Sequence, residues 1–114
     1  MSPKSKQLTF DVGKSAGSVN ALLLLPRDAR WLLVLGHGAG AGMRHPFMQA
    51  IAERLADNGI GTFRYQFPYM EHHSKQPDTK PVLLATVRAA VSTAVKYSDG
   101  LSLLAGGKSM GGRM

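Results

Sequence analysis

The chain has 114 residues, 44% of them hydrophobic, with 14 Lys and Arg against 7 Asp and Glu (net charge +7) and no cysteine. That length suits one small domain with a real core, and the missing thiol excludes disulfides, cysteine nucleophiles and zinc-thiolate sites. The basic residues from Lys4 to Arg113 are scattered, no run approaches the roughly 20 apolar residues that span a bilayer, and no signal-peptide core follows the start, so the expectation is a cytoplasmic protein with no nucleic-acid and no membrane partner.

"QLTFDV" (7–12) and "SVNALLLLP" (18–26) read as two strands of a hairpin at a sheet edge, turned by "GKSAG" and ended by Pro26. "WLLVLGHGAG" is apolar from Trp31 to Leu35 without alternation, the pattern of a central parallel strand covered on both faces. In "HPFMQAIAERLADNG" the period changes. Phe47, Ile51 and Leu55, with Met48 and Ala52 beside them, predict a helical stripe against the sheet, with Glu53, Arg54 and Asp57 outward. Pro46 suits its first turn and Asn58-Gly59 its exit.

"IGTFRYQFP" returns as a strand, and the polar "EHHSKQPDTK" leads to a helix that Asp78 or Thr79 can cap. Its apolar positions are Leu83, Val87, Ala90, Val91, Ala94 and Val95, and Asp99-Gly100 stops it. "LSLLAGG" is the last short strand. Two successive strand-helix-strand crossovers imply an α/β fold: a mostly parallel, doubly wound sheet of about five strands with helices on both faces. Only the first hairpin is expected to be antiparallel, with Leu101 to Ala105 at an edge.

The segment "GGKSMGG" (106–112) contains both Gly-Lys-Ser and Gly-x-Ser-x-Gly. A phosphate loop needs another glycine five positions before Gly107, where Ser102 stands; for the second Gly-Lys-Ser, at 13–15, the required position is Leu8. A dinucleotide loop fails in "GHGAGAG", whose sixth position is Ala41. The serine pattern passes: Gly107-Lys108-Ser109-Met110-Gly111 follows a predicted strand and opens a potential helix, the setting of a nucleophile elbow. Glycines two before and two after Ser109 suit a turn too tight for side chains. Ser109 is then the candidate nucleophile, and the Met110 amide one arm of an oxyanion hole. Amides near Gly38 and Ala39, at the end of the other central strand, are candidates for the second arm.

Strand-"GHGAG"-helix, then "FRYQFPYM", then "GGKSMGG" resembles the α/β-hydrolase superfamily, specifically its small dienelactone-hydrolase-like branch, over about Leu8 to Met114. The resemblance implies Ser109 as nucleophile, main-chain amides at Ala39 and Met110 as oxyanion hole, and strand order 1-2-4-3-5. It implies Gly38, Gly107, Gly111 and His37 as loop and elbow supports, with Phe67 and Tyr69 in the segment lining the pocket. A small-molecule acyl substrate, an ester or thioester, follows from it, with no cofactor and no metal.

In this fold the acid and then the histidine follow the nucleophile in chain order. His45 is expected to start a helix, His72 and His73 to lie exposed beside Glu71, Asp78 and Asp99 to fall outside the required order, and Lys108 to point away from Ser109. The expectation is therefore the amino-terminal part of one α/β-hydrolase domain, truncated after the elbow, close to inactive alone and prone to self-association through its exposed edge. The alternative reading is a non-catalytic, hydrolase-like scaffold module.

Overall fold

The structure, a computed structural model, describes residues 5–13, 16–38, 40–74, 76–107, 111 and 114. Along the chain run β1 (Lys6–Gly13), β2 (Gly17–Leu24), β3 (Trp31–Gly36), α1 (Pro46–Asp57), β4 (Ile60–Tyr65), α2 (Pro68–Glu71), α3 (Lys80–Ser98) and β5 (Ser102–Gly107). The strands form one sheet in the order β1-β2-β4-β3-β5, as the resemblance implied.

β1 and β2 are antiparallel, from Lys6 opposite Leu23 to Gly13 opposite Gly17. The antiparallel region is wider than the first hairpin alone. β2 also runs against β4, pairing Ala21 with Tyr65 through Leu24 with Thr62. β2 is thus the one strand of the described sheet that points opposite to all the others, and β4, β3 and β5 are mutually parallel. The sequence marks the hairpin by its turn, but nothing local in "SVNALLLL" states which later strand will lie on its far side.

The two faces carry different cores. Leu32, Val34, Phe63 and Tyr65 join Phe10, Val19, Ala21 and Leu23 beneath α3, which contributes Leu83, Ala90 and Ala94. The opposite face holds Leu24 against Ala52 and Ala56 of α1. Side-chain alternation along each strand divides them in this way.

α1 is turned relative to the expected stripe. Its buried residues are Met48, Ala52 and Ala56, while Phe47 is 43% exposed and Ile51 and Leu55 are half-buried. Spacing alone does not distinguish the two adjacent stripes, and the small one lets the helix axis come close to the sheet. In α3, Thr86 is buried with its hydroxyl donating to the Val82 carbonyl at 2.8 Å, and Val95 is 54% exposed rather than packed. The exits follow expectation: Gly59 takes φ 78°, and Asp99 and Gly100 take φ 41° and 84°. Asp78 does not cap α3. Thr79 occupies that position without a side-chain bond, and Asp78 accepts instead from the Tyr69 amide at 2.9 Å, in the first turn of the unanticipated α2.

β5 lies at the edge of the described sheet, with Leu104 43% exposed. The rotation of α1 carries a direct test. Ala52→Leu, inserted at a fully buried position, should lower the unfolding free energy by about 1–3 kcal/mol in urea titrations. Ala50→Leu, on the exposed side of the same helix, should stay within about 0.5 kcal/mol; equal effects would refute the orientation.

Candidate active site

β3 and β5 are adjacent and parallel, and their register places Gly36 opposite Gly107. The two glycine-rich segments therefore leave the sheet at the same end. In open α/β sheets ligands bind outside the carboxyl ends of the strands. Gly111 then comes back against the first segment. A Cβ on Gly111 would stand 2.6 Å from the Gly36 carbonyl carbon and from the His37 oxygen, both main-chain atoms that cannot swing aside. A Cβ on Gly36 would meet the Tyr65 hydroxyl at 2.8 Å and the Gly111 Cα at 3.2 Å. Glycine is required at 111 by this backbone contact, while at 36 a β-carbon would be crowded by the Tyr65 side chain and by Gly111. Lys108, Ser109 and Met110, and Ala39 of the facing loop, lie outside the described residues.

His37 is fully buried behind the loop. The Phe67 amide donates to its Nε2 at 3.1 Å, so that nitrogen is unprotonated; Nδ1 then carries the hydrogen and donates to the Gly38 carbonyl at 2.8 Å. Burial pulls its pKa down, with the Gly38 carbonyl opposing. Phe67 meets the imidazole edge-on at 4.9 Å, and the Tyr69 ring lies 6.0 Å away. Phe67 and Tyr69 are thus both buried around His37. The Tyr69 hydroxyl is buried, and burial pushes its pKa up, with a hydrogen bond to the Gly40 main chain opposing and Asp78 adding.

Between His37 and α1 the loop is a tight turn. Gly40, at φ 83°, sits two residues after Gly38, and the Ala41 amide approaches the Gly38 carbonyl at 3.5 Å. Left-handed backbone at that place favours glycine. Two polar residues of the β4 region grip the far end: Arg64 Nη1 donates to the Met43 carbonyl at 3.1 Å, and Gln66 Oε1 accepts from the Met43 amide at 3.0 Å. Arg64 is fully buried, its Nη2 donates to Ser5 Oγ at 3.3 Å, and its Nε has no partner among the described residues. The sequence signal for this role is the one charged residue in "IGTFRYQF", with Gln66 two positions after it.

The other histidines are elsewhere. His45 caps α1, its Nδ1 accepting from the Phe47 amide at 3.1 Å, and His72 and His73 are exposed after α2, His73 at φ 58°. Asp99 ends α3. Among the described residues no group of three His, Asp or Glu side chains is arranged to hold a metal ion, and no helix is long and apolar enough to cross a membrane. A cleft of about 210 Å³ lined by Leu35, Phe47, Met48, Ile51 and Gly107 opens between α1 and β5.

The sequence pattern of the alpha/beta hydrolase domain family matches residues 29–114. The chain belongs to the α/β-hydrolase family. Among solved structures it is similar to a dienelactone hydrolase from Anabaena variabilis (TM-score 0.80, 19% identity, 98% of this chain and 55% of that one). It is also similar to XC6422 from Xanthomonas campestris, described as an α/β serine hydrolase without lid (0.77, 21%, 95% and 52%), and to the esterase Est22 (0.78, 17%, 95% and 35%). At these identities the likeness is one of fold, and the chain spans about half the length of the first two. No curated protein matches it.

The buried neutral imidazole makes stability depend on pH. Its folded pKa lies below the ordinary 6.5, so the unfolded chain takes up a proton that the folded one refuses. His37 therefore leaves stability intact above pH 6.5 and erodes it as pH falls from 6.5 through the lowered folded value. Urea midpoints between pH 7.5 and 5 should fall more steeply for the parent than for His37→Gln, which keeps an acceptor without a titrating ring; equal slopes would contradict the assignment.

Proposed function

We propose that these residues belong to a serine hydrolase that cleaves a carboxylic ester, thioester or related acyl compound, with Ser109 as nucleophile. The observation that carries the reading is the main-chain contact of Gly111 with Gly36 and His37. It fixes the far end of Gly107-Lys108-Ser109-Met110-Gly111 against the glycine loop, beside a strand pair in register at Gly36 and Gly107. Family membership, and a fold shared with esterases, support the same reading.

In this mechanism Ser109 Oγ attacks the acyl carbon and the leaving group departs, giving an acyl-serine that water hydrolyses. Developing charge on the carbonyl oxygen is held by the main-chain amides of Met110 and Ala39, a contribution commonly of about 3–4 kcal/mol per donor. A serine hydroxyl needs a base within about 3 Å and an acid to orient that base. His37 is not that base. Its Nε2 is occupied by the Phe67 amide and its Nδ1 by Gly38, so it supports the loop. The reading assigns the acid and histidine to the part of the relatives' length that these 114 residues do not span.

In the full-length protein, Ser109→Ala should abolish p-nitrophenyl acetate hydrolysis and fluorophosphonate labelling while circular dichroism and melting stay close to the parent's. Undiminished hydrolysis by that variant would make the elbow architecture only, and favour a scaffold role.

A further inference from the structure

We propose that Gln66 and Arg64 are positioning residues for hydrolysis: together they hold both polar ends of Met43 and so fix the glycine loop on which the proposed oxyanion amide at Ala39 depends. The inference rests on the serine-hydrolase reading above and names residues that reading does not use.

Arg64 lies near the end of β4 and Gln66 just past it, two positions on along extended backbone, so their side chains leave the same side of the chain. One meets the Met43 carbonyl and the other the Met43 amide, at 3.1 and 3.0 Å. Met43 is itself fully buried. Its peptide groups have no water to fall back on, and losing a buried partner leaves the other group unsatisfied. The grip is also crowded from the loop side. A Cβ on Gly42 would stand 2.8 Å from Gln66 Oε1 and 2.9 Å from Met70 Cγ, so a side chain there would press on the ends of both.

The gripping residues are themselves held. The Gln66 amide donates to the Asn20 carbonyl at 3.0 Å. Glu71 accepts from both the Asn20 amide, at 2.9 Å, and Asn20 Nδ2, at 2.7 Å. The segment from Gln66 to Glu71 is thus tied to β2 at one residue, and it reaches the loop at two: His37 through the Phe67 amide, and Met43 through Gln66. Gly38 and residues 40–42 are suspended between those points. A loop rich in glycine has the most conformational freedom to lose, and an oxyanion donor is effective only where it is already aimed before the reaction. Arg64 completes the arrangement because its guanidinium is charged at all working pH values and directs several donors at once, here to Met43 and Ser5.

The test uses Gln66→Met, which removes the acceptor at similar volume, and Gln66→Glu, which keeps an acceptor oxygen in place. Both are examined in the full-length protein by ester kinetics and by amide hydrogen exchange. Gln66→Met should lower kcat about tenfold or more with KM within about twofold. Exchange should accelerate at residues 40–43 while β3 and β4 stay protected, and Gln66→Glu should restore both. Gly42→Ala, which displaces Gln66 from the other side, should reproduce the kcat loss. Faster exchange with unchanged kcat would make the grip purely structural, and unchanged exchange in Gln66→Met would show that the loop does not depend on it. A parent without serine-dependent hydrolysis would count against the functional reading itself, and exchange would still judge the grip.

Discussion

The constraint on which the site depends is a contact between two stretches of backbone. Gly111 lies so near Gly36 and His37 that no β-carbon fits between them. Such an approach is stable only if both chains are held independently, because glycine contributes no packing of its own and loses much entropy on ordering. β3 and β5 provide this, as parallel neighbours in register from Trp31 with Ser102 to Gly36 with Gly107. The chemistry proposed for Ser109 therefore depends on sheet register: a slip of β5 by one residue would reverse the facing of every side chain and carry Gly111 away from Gly36.

Behind the glycine loop the polar groups are arranged for rigidity rather than for proton transfer. His37 uses both ring nitrogens on main-chain groups, and its burial favours the neutral form that this pattern requires. Arg64 is the costlier member, since a buried guanidinium must recover its hydration from protein oxygens. Its partners are neutral, the Met43 carbonyl and Ser5 Oγ, and burial, with Arg44 adding and Glu53 opposing, pulls its pKa down. Retaining a charge there makes sense if loop geometry is worth the stability that an apolar residue would add.

Much of this was legible in the sequence because its signals are local. The uninterrupted run Trp31 to Leu35, the exits at Gly59 and Asp99-Gly100, and the order of "GHGAG" and "GGKSMGG" all report on nearby backbone, and the crossover rule makes the sheet mostly parallel, its strand order coming from the family resemblance. What was not legible is non-local. The pairing of β2 with β4, which brings together residues about 40 positions apart, was implied by the family resemblance and by no local signal. The choice of Met48, Ala52 and Ala56 over Phe47, Ile51 and Leu55 depends on how closely α1 approaches the sheet. Asp78 looked like a cap for the helix after it, and was taken instead by the Tyr69 amide, nine residues earlier. Arg64 and Gln66 belong to the same class: polar residues whose partner, Met43, lies more than 20 residues upstream. Ser109, Met110 and Ala39, the residues proposed for the chemistry itself, lie outside the described residues and stand on the motif and on their described neighbours.

The central claim is that the two glycine-rich segments form one oxyanion pocket around an acyl group on Ser109. A crystal structure of the full-length protein after reaction with a fluorophosphonate tests it most directly. The account predicts phosphorus bonded to Ser109 Oγ and the phosphoryl oxygen within hydrogen-bonding distance of the Ala39 and Met110 amides, with Gly111 still against Gly36. An adduct on another residue, or one on Ser109 whose phosphoryl oxygen faces away from both amides, would contradict it.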